Sequence, residues 1–230
     1  ENSEYFFIVM DFCEGGELFH RLSERGEGFP EQTAKKIARQ LIEATIYMHG
    51  QGIMHRDLKP ENVVFTSKYD DDYHVKIIDL GLAKLFTKSN IMSHAVATTL
   101  VGTVGYTAPE VYSSSGYGFA VDYFSIGVLI YVMLTCENLD EAAKGSMKNT
   151  RIEEIVREKL NHVSEDARNI IRHLLDANPE ERISVFEETA IGWKEDSQNN
   201  DDDDDDDDKK FRYATRMGNL LLHQPWFVRK

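Results

Sequence analysis

Apolar residues along the chain occur in two kinds of pattern, long stripes at helical spacing and short continuous runs. The clearest stripe follows Pro30-Glu31 and consists of Ala34, Ile37, Ala38, Leu41, Ile42, Thr45 and Met48. Proline is tolerated in the first turn of a helix, and an acidic side chain is favoured near its positive end. The pattern predicts an amphipathic helix with one face in the core.

Two further helices are predicted downstream. Residues 121–135 are the most apolar segment of the chain, which indicates a buried central helix. Ser164-Glu165-Asp166-Ala167 is typical of a helix start, and it precedes Ile170, Ile171, Leu174 and Leu175. Short apolar runs at residues 5–10, 63–65 and 74–78 predict strands, the first of them buried.

Composition limits the classes of protein. The chain has 230 residues, 41% of them hydrophobic, which suffices for one domain with a sizeable core. The longest apolar run, residues 126–134, is far shorter than the ~18 residues of a membrane span, and the polar first residues do not resemble a signal peptide. Cys13 and Cys136 suggest neither a metal site nor a disulfide scaffold. We therefore expect a reducing, cytoplasmic location, with a nuclear one also open, and no membrane partner.

The charge is concentrated in one place. The formal net charge is −14, and an unbroken run of eight aspartates, residues 201–208, supplies eight of those charges. The remainder is moderately acidic, so we expect no nucleic-acid partner. Because like charges repel, residues 192–212 are predicted to be a disordered acidic insertion in the last helical region; a calcium site is the alternative.

Three short motifs indicate the chemistry. HRDLKPEN occupies residues 55–62, DLG residues 79–81 and APE residues 108–110. In this order they resemble the catalytic loop, the metal-binding turn and the end of the activation segment of eukaryotic protein kinases. Phosphoryl transfer needs a carboxylate beside the attacking hydroxyl, a second carboxylate on magnesium and an amide oxygen that completes the metal shell.

The resemblance implies a role for each catalytic residue. Asp57 is the catalytic base, which accepts a hydrogen bond from the substrate hydroxyl. Lys59 contacts the transferring phosphate and favours a Ser/Thr acceptor over tyrosine. Asn62 and Asp79 hold Mg²⁺, which prefers oxygen ligands and keeps several waters.

The resemblance also implies a nucleotide site for ATP. Met10 is the gatekeeper, the backbone of Asp11 and Cys13 binds the adenine, and Val64 forms its apolar floor. Met10 and Val64 are alternatively ordinary core residues. Glu17, at the same site, is expected to face a basic residue upstream of the substrate's acceptor; the alternative is an acidic residue at a helix start.

Further residues are expected to support this machinery. The set comprises Arg56, Gly81, Glu110, Asp122 and Arg182. Asp122 braces the catalytic-loop backbone, and Arg182 pairs with Glu110 in a buried bidentate salt bridge. Arg56 pairs with a phosphate added by an upstream kinase at Thr99, for which Thr98 is the alternative. His55 is expected to be a packed core histidine. Leu80, where the family usually has Phe, is expected to pack in the core.

The expected architecture is α+β, mainly α: a kinase large lobe with a hinge strand and short β-hairpins. Residues 1–230 form a partial kinase domain, in which residues 1–14 are the last small-lobe strand and the hinge and residues 15–230 are the large lobe. Most of the small lobe, with its Gly-rich loop and phosphate-binding lysine, is expected to be absent. GGELF at residues 15–19 and HQPWF at residues 223–227 most resemble the calcium/calmodulin-dependent group.

Three functions remain open at this stage. The leading one is ATP-dependent phosphorylation of Ser/Thr in protein substrates, with this chain inactive by itself. A pseudokinase or scaffold without phosphotransfer is the first alternative, and a small-molecule phosphotransferase is the second. The segment from Gly102 to Glu110 argues against the second, because in kinases it shapes a peptide-binding platform. The segment after Thr135 lacks the family's proline-aromatic stretch, which leaves the substrate-docking helix undetermined.

Overall fold

A computed structural model describes residues 7–69, 71–86, 97–113, 115–139, 149–182, 222 and 224–228. The helices are α1 (Leu18–Arg25), α2 (Glu31–Gly50), α3 (Ala120–Thr135), α4 (Asn149–Lys159), α5 (Glu165–Leu174) and α6 (Pro225–Val228), with 3₁₀ turns at Pro60–Asn62 and Pro109–Tyr112. The strands are β1 (Ile53–Met54), β2 (Val63–Phe65), β3 (Val75–Ile77) and β4 (Lys84–Leu85). The α+β, mainly α prediction is confirmed.

The core is built around α3. Its residues are apolar on all sides, and nearly every one is buried, because α2 packs on one side and α5 on another. Gly127 makes the second contact possible: a Cβ at this position would lie 2.7 Å from the Cβ of Leu174. The predicted stripe of α2 faces this core, with Ile37, Leu41 and Ile42 almost fully buried. The helix predicted from the apolar stripe after Pro30 and the buried helix predicted at residues 121–135 are therefore confirmed.

Short strands hold the loops that leave this helical core. β2 and β3 form an antiparallel hairpin with Val63 opposite Ile77, and β1 pairs antiparallel with β4. The hairpin confirms the strand predictions near residues 63–65 and 74–78. The loop between β1 and β2 carries residues 55–62, so the predicted catalytic loop is tied at both ends by strand pairing.

The cap predicted for α5 is also present. Ser164 Oγ accepts a hydrogen bond from the Ala167 N–H at 3.1 Å, which satisfies one free donor of the first turn. Glu31, at the start of α2, accepts from Ser164 Oγ at 2.6 Å and from Trp226 Nε1 at 2.8 Å. Burial opposes ionisation of Glu31, but these donors hold the pKa of its carboxyl below the ordinary value. The starts of α2 and α5 and the final helix α6 thus meet at one carboxylate.

Two predictions about apolar residues are wrong in the described part of the chain. Residues 7–10 form no strand, and their side chains are 73–95% exposed. A strand requires a hydrogen-bonding neighbour, and no described strand lies beside them. Leu80 is 54% exposed rather than packed in the core, because it lies in an exposed turn after β3 in which Asp79 and Gly81 are exposed as well.

Some predicted features lie outside the described residues. They are residues 5 and 6 of the expected first strand and the acidic segment at residues 192–212. Among the described helices, none is both long enough and apolar enough to cross a membrane.

Candidate active site

Asp57 lies in the loop between β1 and β2 and is held from three directions. Its side chain is only 7% exposed. Oδ1 accepts a hydrogen bond from Thr103 Oγ1 at 2.6 Å, and Lys59 Nζ lies 3.0 Å from Oδ2. Asn62 Nδ2 donates to the backbone oxygen of Asp57 at 2.8 Å and to Oδ2 at 3.2 Å. The carboxylate is therefore fixed in orientation, as a group that must align a nucleophile requires.

Asp122 braces the backbone of the same loop. Its Oδ1 accepts from the Arg56 N–H at 2.8 Å, and its Oδ2 accepts from the His55 N–H at 2.9 Å and from His49 Nε2 at 2.8 Å. Burial alone would raise the pKa of the Asp122 carboxyl, but the donors, His49 first, hold this pKa below its ordinary value. The brace supports Arg56 at a φ of 70°, a conformation that L residues rarely adopt.

The segments that carry the two predicted metal ligands, Asn62 and Asp79, are joined by hydrogen bonds at the base of the β2–β3 hairpin. The Ile78 N–H donates to Asn62 O at 2.9 Å, and Ile78 O contacts His55 Nε2 at 3.2 Å. Asp79, the next residue, is therefore held beside the catalytic loop. His55 is fully buried, which confirms its prediction as a core histidine.

The turn at Asp79 exposes a carboxylate. Asp79 has a φ of 62°, and its Oδ1 accepts from the Gly81 N–H at 2.9 Å. A Cβ at Gly81 would lie 2.9 Å from that same oxygen, so a side chain there would displace the carboxylate. The amide nitrogen of Asn62 is engaged by Asp57, which orients the amide oxygen away from that residue. One carboxylate and one amide oxygen fit Mg²⁺, which takes few protein ligands.

Glu110 and Arg182 form the expected bidentate pair. Arg182 Nη1 donates to Glu110 Oε1 at 2.8 Å and Nη2 donates to Oε2 at 3.1 Å. Arg182 is fully buried and also donates to the backbone oxygens of Ala120 and Asp176. The end of the APE motif is thereby attached to the start of α3 and to the segment after α5.

Comparison with known proteins identifies the family of the chain. Residues 1–193 match the protein kinase domain family. The chain belongs to the protein kinase family. It is 37% identical over 212 residues to the serine/threonine-protein kinase cds1 of Schizosaccharomyces pombe, an alignment that covers 84% of this chain and 42% of that protein.

Two further relatives belong to the predicted group. Calcium/calmodulin-dependent protein kinase type 1 of Macrobrachium nipponense is 45% identical over 134 residues, covering 58% of this chain and 36% of the relative. Calcium/calmodulin-dependent protein kinase cmkB of Emericella nidulans is 34% identical over 200 residues, covering 84% and 48%. The family prediction is confirmed. The chain spans less than half the length of these relatives.

Arg56 of this kinase domain lies close to the predicted phosphosite. Its Nη1 donates to Tyr117 Oη at 3.4 Å, and Tyr117 Oη donates to the backbone oxygen of Thr99 at 2.6 Å. Arg56 Nε also donates to Leu82 O at 2.6 Å. Thr98 and Thr99 are both exposed. One tyrosine therefore links the kinase's catalytic-loop arginine to the activation segment.

The predicted nucleotide residues differ in exposure to solvent in the described part of the kinase domain. Met10 and Asp11 are exposed, Cys13 is half-buried and Val64 is 9% exposed. Asp11 Oδ2 lies 2.7 Å from Lys76 Nζ, and the hydrogen bond from that ammonium lowers the pKa of the Asp11 carboxyl. A groove of about 300 Å³ lies between α2 and β3, but none of the predicted site residues lines it.

The surroundings of Glu17 bear on its two predicted roles, which are recognition of a basic substrate residue and an acidic residue at a helix start. It is the N-cap of α1, yet its side chain makes no capping hydrogen bond. Its backbone forms an isolated bridge with Val64, which places the exposed Glu17 side chain beside the predicted adenine floor. The Glu17 carboxylate therefore makes no hydrogen bond to the first turn of α1.

Sequence reasoning missed two partners of the kinase site. Thr103 joins Lys59 to Asp57, since Lys59 Nζ donates to Thr103 Oγ1 at 2.9 Å. His49 completes the brace around Asp122. Thr103 stands five residues before Ala108 within a recognisable motif, so its position was a usable signal. His49 carries no such sequence signal, because it lies at the end of an apolar helical stripe that indicates only a core position.

Proposed function

We propose that this kinase domain transfers the γ-phosphate of ATP to serine or threonine hydroxyls of protein substrates. The observation that carries the proposal is the cluster at Asp57, where Lys59, Asn62 and Thr103 all lie within 3.2 Å of one carboxylate. A pseudokinase or scaffold would need no such alignment. All the residues that the family uses in this region are present, which favours an enzyme.

Each residue has a distinct task in the proposed reaction. Asp57 accepts the hydrogen bond of the incoming hydroxyl and aims its oxygen at the phosphorus. Lys59 supplies positive charge beside the transferred group, and Thr103 holds the side chains of Lys59 and Asp57 in position. Asn62 and Asp79 would hold Mg²⁺, which when bound neutralises phosphate charge. Positioning and preorganised charge account for most of the catalysis in such a reaction.

A biochemical reconstitution tests this proposal. Purified full-length protein would be incubated with radiolabelled ATP, Mg²⁺ and a peptide library, followed by phosphoamino-acid analysis of the products. We expect phosphoserine and phosphothreonine and no phosphotyrosine. Protein substrates without label, under conditions where a related kinase labels them, would favour the scaffold alternative. Label on small molecules alone would favour a small-molecule phosphotransferase.

We further propose that substrates carry Arg or Lys a few residues before the acceptor. The exposed carboxylate of Glu17 is available to a cation, since it makes no cap. On a peptide array, wild-type protein should prefer an upstream basic residue, and Glu17→Gln should weaken that preference. Glu24→Gln, on the same helix, is the matched control. An array without any upstream preference for Arg or Lys would contradict the assignment.

A cytoplasmic or nuclear location stays a prediction.

A further inference from the structure

The segment that leaves the predicted hinge is bonded directly to β2. The Gly15 N–H donates to Phe65 O at 3.0 Å, and the Phe65 N–H donates to Gly16 O at 2.9 Å. Glu17 then forms its bridge with Val64. The hinge exit and Glu17, which is predicted to recognise substrate, are therefore placed by contact with the strand that begins next to Asn62.

The contact leaves no space for a side chain at Gly15. A Cβ there would lie 2.1 Å from Ser67 O and 2.5 Å from the Cβ of Phe65. Backbone therefore packs on backbone, and a small shift of the hinge exit would move it relative to the whole hairpin. A side chain that fixes the distance between the hinge exit and the hairpin would therefore set the geometry of the site.

Arg21, in the first turn of α1, is such a side chain. Its Nε donates to Gly15 O at 3.2 Å, Nη2 donates to Ser67 O at 2.5 Å and Nη1 donates to Asp72 O at 3.5 Å. Ser67 follows β2 and Asp72 precedes β3, so the guanidinium spans both arms of the hairpin. Its central carbon lies 3.8 Å above the ring of buried Phe65. The planar guanidinium of an arginine can donate hydrogen bonds to several carbonyl oxygens at once. A lysine ammonium does this less well.

We propose that Arg21 is a positioning residue that fixes the hinge exit and Glu17 against the hairpin carrying Asn62 and Asp79. The inference rests on the proposed kinase function. The hydrogen bonds and the ring contact of Arg21 involve Gly15, Phe65 and the hairpin rather than Asp57, so Arg21 would act through them. Its loss should weaken nucleotide and substrate binding more than the rate of transfer, because the Asp57 cluster keeps its own hydrogen bonds.

The test compares variants of the full-length protein. Arg21→Met removes the donors and keeps an unbranched stem over Phe65, and Arg21→Lys keeps only the charge. Arg25→Met, one turn later on the same helix, is the matched control, because Arg25 contacts Glu27 and the Phe29 ring instead. The readouts are the Kd of a fluorescent Mg-ADP analogue, KM for ATP and for a basic peptide, kcat, and the melting temperature.

We expect Arg21→Met to raise the nucleotide Kd and both KM values about tenfold, a change of ~1.4 kcal/mol, with kcat within about threefold. Arg21→Lys should fall between Arg21→Met and wild type, and Arg25→Met should match wild type. A lowered melting temperature with unchanged Kd and KM in Arg21→Met or Arg21→Lys would show a merely structural role and overturn the inference.

The nucleotide assay separates this inference from the proposed function. If wild-type protein binds Mg-ADP but transfers no phosphate, the proposed function fails while the effect of Arg21 on Kd still decides the inference. If wild-type protein binds no nucleotide, both are wrong. If Arg21→Met does not fold, the Kd of Arg21→Lys gives the answer.

Discussion

The two aspartates at the centre of the site are held in different ways, and the difference matches their proposed roles. Asp57 is nearly buried and has its partners in place, so it is aligned before any substrate arrives. Asp79 is exposed, has a φ of 62° and is held through one oxygen by Gly81. Strained conformations of this kind are often found at ligand-binding positions.

Removing the charge of Asp79 should remove metal dependence. In full-length protein, Asp79→Asn should weaken Mg-ADP binding by at least about tenfold, because the amide is a poorer ligand than the carboxylate it replaces. Nucleotide binding without Mg²⁺ should change little. Calorimetric titrations with and without Mg²⁺ measure both effects, and Asp71→Asn in the exposed hairpin tip is the control. An unchanged magnesium dependence would mean that Asp79 is not a ligand.

At the scale of elements, helices and the β2–β3 hairpin were predicted well from the sequence, whereas the first predicted strand was not. α3 and the cap of α5 depend on residues that are close in sequence, so apolar content and Ser164 were sufficient signals. A strand at residues 7–10 depends on a neighbour, and the apolar run carries no information about one. In the candidate site, the family resemblance predicted the contact of Arg182 with Glu110, 72 residues apart, because both residues lie in recognisable motifs. The contact of Thr103 with Asp57, 46 residues apart, was missed because no role was assigned to Thr103 from its motif.

The activation segment should be regulated at Thr99. Tyr117 places the backbone of Thr99 beside Arg56, and a phosphate there would bring about −1.5 to −2 charges close to that guanidinium. In full-length protein, Thr99→Ala should lose the activation that accompanies phosphorylation, while Thr98→Ala should retain it. Phosphosite mapping and activity assays of the two variants provide the measurement. Full activity of Thr99→Ala would show that other contacts order this segment.

At the scale of the whole molecule, the described fold forms one side of the proposed nucleotide site. The predicted hinge residues Met10 and Asp11 are exposed, and Val64, the predicted adenine floor, is buried. The 230 residues contain neither a Gly-rich phosphate loop ahead of the hinge nor the lysine expected to bind the phosphates. With these 230 residues alone, the adenine and phosphates would therefore have few contacts beyond the hinge and the catalytic loop.

The 230-residue chain alone should bind Mg-ATP very weakly and transfer almost no phosphate. The physical reason is that positioning and electrostatic contacts supply most of the binding and catalysis in this family. Isothermal titration of the purified chain beside the full-length protein measures the difference. Micromolar Mg-ATP affinity of the chain by itself would contradict this expectation.

The most direct test of the catalytic assignment is the rate at which full-length Asp57→Asn phosphorylates a peptide, relative to wild type. The substitution keeps the shape of the side chain and removes the charge that orients the hydroxyl. We predict a rate lower by at least about a hundredfold, with a melting temperature and Mg-ADP affinity close to those of wild type. A phosphorylation rate near that of wild type would contradict the assignment of Asp57 as the catalytic base.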